Sequence, residues 1–479
     1  MILRRYAQDM NSGGLGNTSA GDPQRRIIRK TSHPVYVTLL SATAALGGIL
    51  FGFDIAIIVG AGPYLLRHFA LGDLGLGWAY SSLLFGCILG SVAAGGWADV
   101  YGRRRLLLCV AALFTVTSIV TGLAPTFTLF VAARFIGGFA VGGVSVLSPL
   151  YVAEVSPPGI RGKLGATYQL SITAGILISY CINYGLRNEG SWNWRWMFLS
   201  GTLPSVLFLL MLVRVPETPR FLFRIGRKQE GTALLAKIMN EEDAVVEAAE
   251  IEASLAGSSG AIPFDPCILR RVLAVSFILA ILVQVSGINA IIDYIPLVLK
   301  SAGWKIDVAL LSTFVIGGIN FLFTLVSFWT IDRYGRKPLY LVGSLGMALS
   351  LILIICASVS DRLNGGILLG LMASFIAFFA SCIGPVFWTL IPEIFPNRAR
   401  GQGMIVPVVT QWVTSALVVL LFPLAFHRIG KLPTFAFLGC GALLQAMFAW
   451  RFIPETKGKT LEEIENHWNE SRPLLKWSR

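Results

Sequence analysis

Long apolar runs separated by short polar ones dominate the chain. They predict twelve helices, at 35–60, 78–98, 105–123, 126–150, 163–186, 196–215, 270–299, 307–331, 338–358, 366–392, 402–426 and 433–453. Each run is close to the ~20 residues that a helix needs to cross a bilayer. Barrel strands would be half as long and alternate in polarity, so the pattern predicts an all-α membrane protein. Between the sixth and seventh runs, "QEGTALLAKIMNEEDAVVEAAEIEASL" instead has the charge spacing of short amphipathic helices. The expected organisation is an N-terminal tail 1–33, a six-helix bundle 34–215, a linker with short helices 216–268, a second six-helix bundle 269–453 and a C-terminal tail 454–479.

The two halves repeat. "DVYGRRR" from Asp99 recurs as "DRYGRKP" from Asp332, "EVSPPGIRG" from Glu154 as "EIFPNRARG" from Glu393, and "PETPRF" from Pro216 as "PETKGK" from Pro454. "GFDIAI" from Gly52 is echoed by "GINAII" from Gly287, so all four offsets fall between 233 and 239 residues. Four echoes in one order mark a duplicated bundle, a parallel-repeat architecture that the twelve-span count accommodates.

Composition agrees, with 55% hydrophobic and 14% charged residues and a mean hydropathy of +0.70. The net charge of +13 would suit nucleic acid, but the basic residues lie mainly in short loops between apolar runs. Arg4, Arg5, Arg25, Arg26 and Lys30 precede the first run, Arg103 to Arg105 follow the second, and Arg161 and Lys163 follow the fourth. Sidedness of this kind predicts that these loops and both termini are cytoplasmic; the expected location is the plasma (inner) membrane. The seven cysteines lack metal-ligand or CxxC spacing, and no disulfide framework is expected. Trp192, Trp194 and Trp196, before the sixth run, read as an interfacial aromatic belt.

Candidate chemistry starts with Asp54, a carboxylate inside the apolar run "GGILFGFDIAIIVGAG". A charge at the bilayer centre costs about 2.5–3.5 kcal/mol on insertion scales, so such residues usually face an internal cavity and have a partner. Arg134, in "AARFIGGF", is the candidate. A pair that exchanges between an ionised, Arg-bound Asp and a protonated, released one can couple a proton to the side on which the protein is open. A static ion pair joining two helices is the alternative.

Ordered motifs name a family. "GFD" at 52–54, "GRRR" at 102–105, "RFIGG" at 134–138, "PLYVAEVSPPGIRG" at 149–162 and "PETPRFL" at 216–222 come from the first half. "QVSGIN" at 284–289, "DRYGRK" at 332–337, "GPVFWTLIPEIFPNRARG" at 384–401, "QW" at 411–412 and "PETKGKTLEEIE" at 454–465 come from the second. The chain resembles the sugar porters of the major facilitator superfamily from about Pro34 to Glu465, and is most similar to the bacterial xylose–proton symporter branch. That resemblance implies two pseudo-symmetric six-helix bundles, alternating access, and symport of a pentose or hexose with a proton. Facilitated uniport and polyol transport are the alternatives. A membrane sugar sensor fits less well, because such proteins usually add a long signalling tail.

The resemblance also assigns residues. Asp54 and Arg134 match the proton-coupling positions. Gln169, Gln284, Asn289, Asn320 and Gln411 match sugar-contacting amides, with Trp388 and Trp412 as aromatic walls. Two departures stand out: Val283 occupies the place of a first glutamine, and Asp293 that of a tyrosine. Asp293 is four residues from Asn289, on the same face, and is counted with the substrate site. It can bind a more polar or cationic substrate, titrate as an additional proton site, or interact with Gln284 and Asn289. Gly287 is expected to loosen its helix. Asp99, Arg103, Arg104, Glu154, Arg161 and Glu217, mirrored by Asp332, Arg333, Arg336, Glu393, Arg400 and Glu455, form a charged belt that can latch the cytoplasmic side or only set topology. No catalytic group, cofactor or metal is expected; the expected partners are a monosaccharide, protons and the bilayer, with a monomer as the working unit.

Overall fold

The computed structural model describes residues 34–156, 161–257, 266–360, 362–395 and 403–457. The two tails and the loop segments holding "PPGI" and "NRARGQ" lie outside them, as do the side chains of Arg161, Asp332 and Arg400. Among the described residues, eleven helical stretches are long and apolar enough to cross a membrane. Helix Arg161–Gly185, richer in Ser, Thr, Asn and Tyr, brings the number to the twelve expected from the sequence.

The first half consists of Pro34–His68, Asp73–Tyr101, Arg103–Leu123, Phe127–Val155, Arg161–Gly185 and a sixth span made of Asn193–Ser200 and Thr202–Arg214. Several helices run past the expected ends, because helix geometry continues beyond the apolar core until a turn residue stops it. Spans two and four approach most closely through glycines: a side chain at Gly86, Gly90, Gly138 or Gly142 would collide with a backbone carbonyl of the other helix. Bare backbone at a four-residue spacing on both helices gives the small-residue interface that packs helices in lipid.

The second half differs in regularity. Span seven breaks into Pro266–Val285, Ile288–Asp293 and Ile295–Ser301. Gly287 sits in the left-handed region, φ +88°, where a residue with a Cβ is strained. Spans eight and nine are continuous, Ile306–Tyr334 and Arg336–Val359. Span ten, Gly365–Ile394, contains a π-helical turn at Phe379–Ile383, and span eleven, Ile405–Leu424, runs into another at Ala425–Ile429. Span twelve is Lys431–Phe452. The segment between the halves forms helices Pro219–Arg224, Lys228–Ile238 and Glu241–Gly257.

The even count places the start of span one and the end of span twelve at the same end, here the terminal end. The halves meet at the far end. Tyr80 of span two stacks on Tyr294 of span seven at 4.5 Å, and Tyr294 stacks on Phe422 of span eleven at 5.1 Å. His427 Nδ1 lies 2.5 Å from Asp73 Oδ1, joining spans eleven and two. Gly77 packs on the carbonyl of Leu420, and Gly317 on the ring of Tyr180.

The three tryptophans expected to form one interfacial belt do not share a face. Trp192 and Trp196 are 49% and 48% exposed, but Trp194 is 1% exposed, packed among Phe69, Phe130 and His68. Its helix points it inward, so the belt has two members.

Candidate functional site

Spans one and four bring Asp54 and Arg134 together. Arg134 Nη1 donates to Asp54 Oδ1 at 2.7 Å and to its backbone carbonyl at 3.2 Å. The side chains are 2% and 13% exposed, and the guanidinium lies 5.4 Å from the Phe198 ring centroid. Nε and Nη2 of Arg134 are buried without a hydrogen-bond partner. One carboxylate therefore engages one edge of the fork and leaves donors unused.

The break in span seven positions the next group. Freed by Gly287 from the helix above, Asn289 turns its amide so that Nδ2 donates to Gln284 Oε1 at 3.0 Å and to Ser415 Oγ at 2.6 Å. Spans seven and eleven are thus joined by side-chain bonds a competing hydroxyl can replace. Ser415, absent from the sequence-derived set, belongs here; a lone Ser in an apolar helix gives no signal in a single sequence. On span eleven Gln411 is half-buried with Oε1 lacking a partner, and Trp412 meets Phe51 of span one edge-on at 5.8 Å. Asn320 is buried on span eight, Gln169 is half-buried on span five, and Trp388 stands edge-on to Phe387 on span ten. Among the described residues, the side chains of Gln169, Asn320 and Trp388 make no hydrogen bond to the rest of the set.

Asp293 lies elsewhere in the bonding pattern. It is 4% exposed and does not bond to Gln284 or Asn289. It sits within electrostatic reach of Tyr80, Tyr180 and Tyr294, and of Arg134.

At the terminal end, the charged motifs close within each half. Arg103 bridges Asp99 at 2.8 Å and Glu154 at 2.9 Å, and Arg224 of the linker pairs with Asp99 at 2.6 Å. In the second half, Arg336 Nε and Nη2 take both oxygens of Glu393, at 3.2 and 2.9 Å. Arg333 contributes its ring contact with Tyr334 and a carbonyl to Lys457. Arg104 donates to the last carbonyls of span six, Leu212 and Val213.

Glu217 and Glu455 do something different from latching. Gly102 and Gly335, both near φ +90°, turn the chain into spans three and nine, and the glutamates accept from the first N–H groups there. Glu217 takes those of Arg103 and Arg104, and Glu455 those of Arg336 and Lys337. They are helix N-caps supplied from a remote loop. Burial alone would raise the Glu455 carboxyl, but N–H donors from Lys457, Arg336 and Lys337 outweigh it and hold the group below the ordinary range.

The profile of the family described as "Sugar (and other) transporter" matches residues 40–468. The D-xylose-proton symporter of Escherichia coli (strain K12) is 36% identical over 474 residues, covering 90% of this chain and 96% of that protein. The arabinose-proton symporter of Bacillus subtilis (strain 168) is 35% identical over 443 residues, covering 90% and 95%. The inward open conformation of the xylose transporter XylE from E. coli superposes with a TM-score of 0.80 at 34% identity, over 90% of this chain and all of that one.

Proposed function

The chain belongs to the sugar porter family of the major facilitator superfamily, and on that premise we infer that it is a proton-coupled symporter of a monosaccharide, a pentose or hexose. It is a multi-pass integral membrane protein. The distribution of basic loops supports cytoplasmic termini, and the proposed location is the plasma (inner) membrane. The terminal end is then the inner side and the far end the outer side. Contact between the halves at the outer end, with the inner charged motifs paired within each half, corresponds to an inward-facing carrier.

The observation that carries symport is the buried contact between Asp54 and Arg134. With Asp54 ionised, the pair straps spans one and four. A proton on Asp54 removes the counter-charge, and the strap loosens inside the half that must rock. Buried pairs cost about 3–5 kcal/mol when one partner is removed, enough to bias two arrangements of comparable energy. Sugar hydroxyls replace the bonds among Gln284, Asn289 and Ser415, whose amide and hydroxyl groups both donate and accept. Gln169, Asn320 and Gln411 supply further amides, and Trp388 and Trp412 an apolar surface for the ring. The charged motifs at the inner end act as the latch when the halves close there, and the working unit is a monomer.

The test is sugar-driven proton uptake in proteoliposomes. Wild type alkalinises the medium as sugar enters, whereas sugar equilibration without proton movement would assign the chain to the facilitators. Asp54→Asn is expected to abolish accumulation and to retain sugar exchange; accumulation by that variant would make the pair structural.

A further inference from the structure

Asp293 is a second carboxylate at the junction of the two halves, and the Asp54–Arg134 pair does not compensate it. It lies on the broken part of span seven, in the second half, next to Tyr294, which stacks on Tyr80 of span two at 4.5 Å, and within electrostatic reach of Tyr80 and of Tyr180 of span five, in the first half. These side chains are buried where the outer ends meet. Asp293 has no hydrogen bond or ion pair among the described residues, and the Tyr180 hydroxyl is buried without a partner. The other groups within that reach are Tyr294 on its own span and, farther away, Arg134 with Asp54 in contact. Ser415 and Val419 of span eleven, bonded to Asn289 and Tyr294, bring no charge. One arginine thus lies within electrostatic reach of two carboxylates, and its contact is with Asp54.

Closing the outer end removes Asp293 from water, and an ionised carboxylate without partner or cation is costly to bury. We propose that Asp293 is a second proton-binding site of this carrier, filled from outside as the outer ends of the two halves close over it. The proton adds to the carboxylate oxygen to give the neutral acid, and reopening returns it. The site does not substitute for Asp54. It makes outer closure itself depend on proton concentration: acid favours the closed form and alkali the open form. The inference rests on the alternating-access reading, because it requires the halves to separate at this end.

Spin labels at Glu189→Cys and Ser360→Cys, on the outer loops of the two halves with native cysteines replaced, report that separation in nanodiscs. Asp54→Asn and His427→Gln are included to remove the contacts of Asp54 with Arg134 and of His427 with Asp73. In this background, raising the pH from about 5.5 to 8.5 is expected to increase the open-to-closed ratio, at up to about tenfold per pH unit for one linked proton. Adding Asp293→Asn should hold the outer end closed at every pH, while Asp293→Glu should keep the dependence. An unchanged pH slope with Asp293→Asn, or no slope before it is added, overturns the proposal. Labels that never separate, at any pH or with sugar, would overturn alternating access instead.

Discussion

At the scale of single residues, the central polar groups are under-bonded by design of position. Arg134 engages Asp54 with one nitrogen and keeps two buried donors idle, and Gln411 keeps an idle acceptor. Groups that must exchange partners during a cycle cannot be fully satisfied in one state. Asn289 is the exception, and in the proposed cycle sugar replaces its bond to Ser415. Ser415→Ala should therefore change sugar affinity by no more than about fivefold, the worth of one ordinary hydrogen bond, and Asn289→Ala by at least tenfold, as isothermal titration would measure. Equal losses would mean that Ser415 itself binds the sugar. Much of this was legible in the sequence: an Asp and an Arg inside apolar runs announce themselves, and amides in a transmembrane pattern nearly so. Ser415 does not, because serines occur throughout such helices bonding their own backbone. Trp194 was misread although its spacing held the answer. Residues 192 and 196 share a helical face, and 194 points the opposite way.

At the scale of helices, the duplicated motifs fold alike and the duplicated cores do not. Gly52 lies in an unbroken span one, against the backbone of Ile172, while its echo Gly287 breaks span seven. The break at Gly287 agrees with the sequence expectation, whereas the continuity of span one at Gly52 depends on what packs against it. The capping glutamates show the converse limit. Their charge suggested a latch, and only the fold reveals that they meet backbone N–H groups more than a hundred residues away. Glu455→Gln should destabilise the second half by about 1–2 kcal/mol, read as a lower unfolding temperature in detergent. Because the folded carboxyl ionises more readily than an unfolded one, its contribution is complete above the ordinary glutamate range and fades as pH falls through the lowered folded value. Wild type and variant should therefore converge in acid; a difference that persists there would assign the loss to packing.

At the scale of the whole molecule, the two halves of the proposed carrier touch at its outer end through an aromatic stack, close glycine contacts and the contact between His427 and Asp73. Asp73→Cys with His427→Cys replaces that pair by two thiols at facing positions. Oxidation should lock the outer end and stop sugar entry almost completely, and reductant should restore it; transport that survives cross-linking would mean that the halves need not part there. The twelve-span duplicated architecture was readable from hydropathy and repeats, whereas the state of the two ends was not, because every sequence of this kind must encode both states at once.

The remote caps also bear on how the protein is made. The first turn of span three finds its carboxylate 114 residues later, and that of span nine 119 residues later. During synthesis each half therefore holds an unfinished helix start until its sixth span has been delivered and the loop behind it swings back. Glu217 and Glu455 act as drawstrings, so a ribosome-bound intermediate gains its final tightening only when a half is complete, and a chain cut before either loop leaves that half slack.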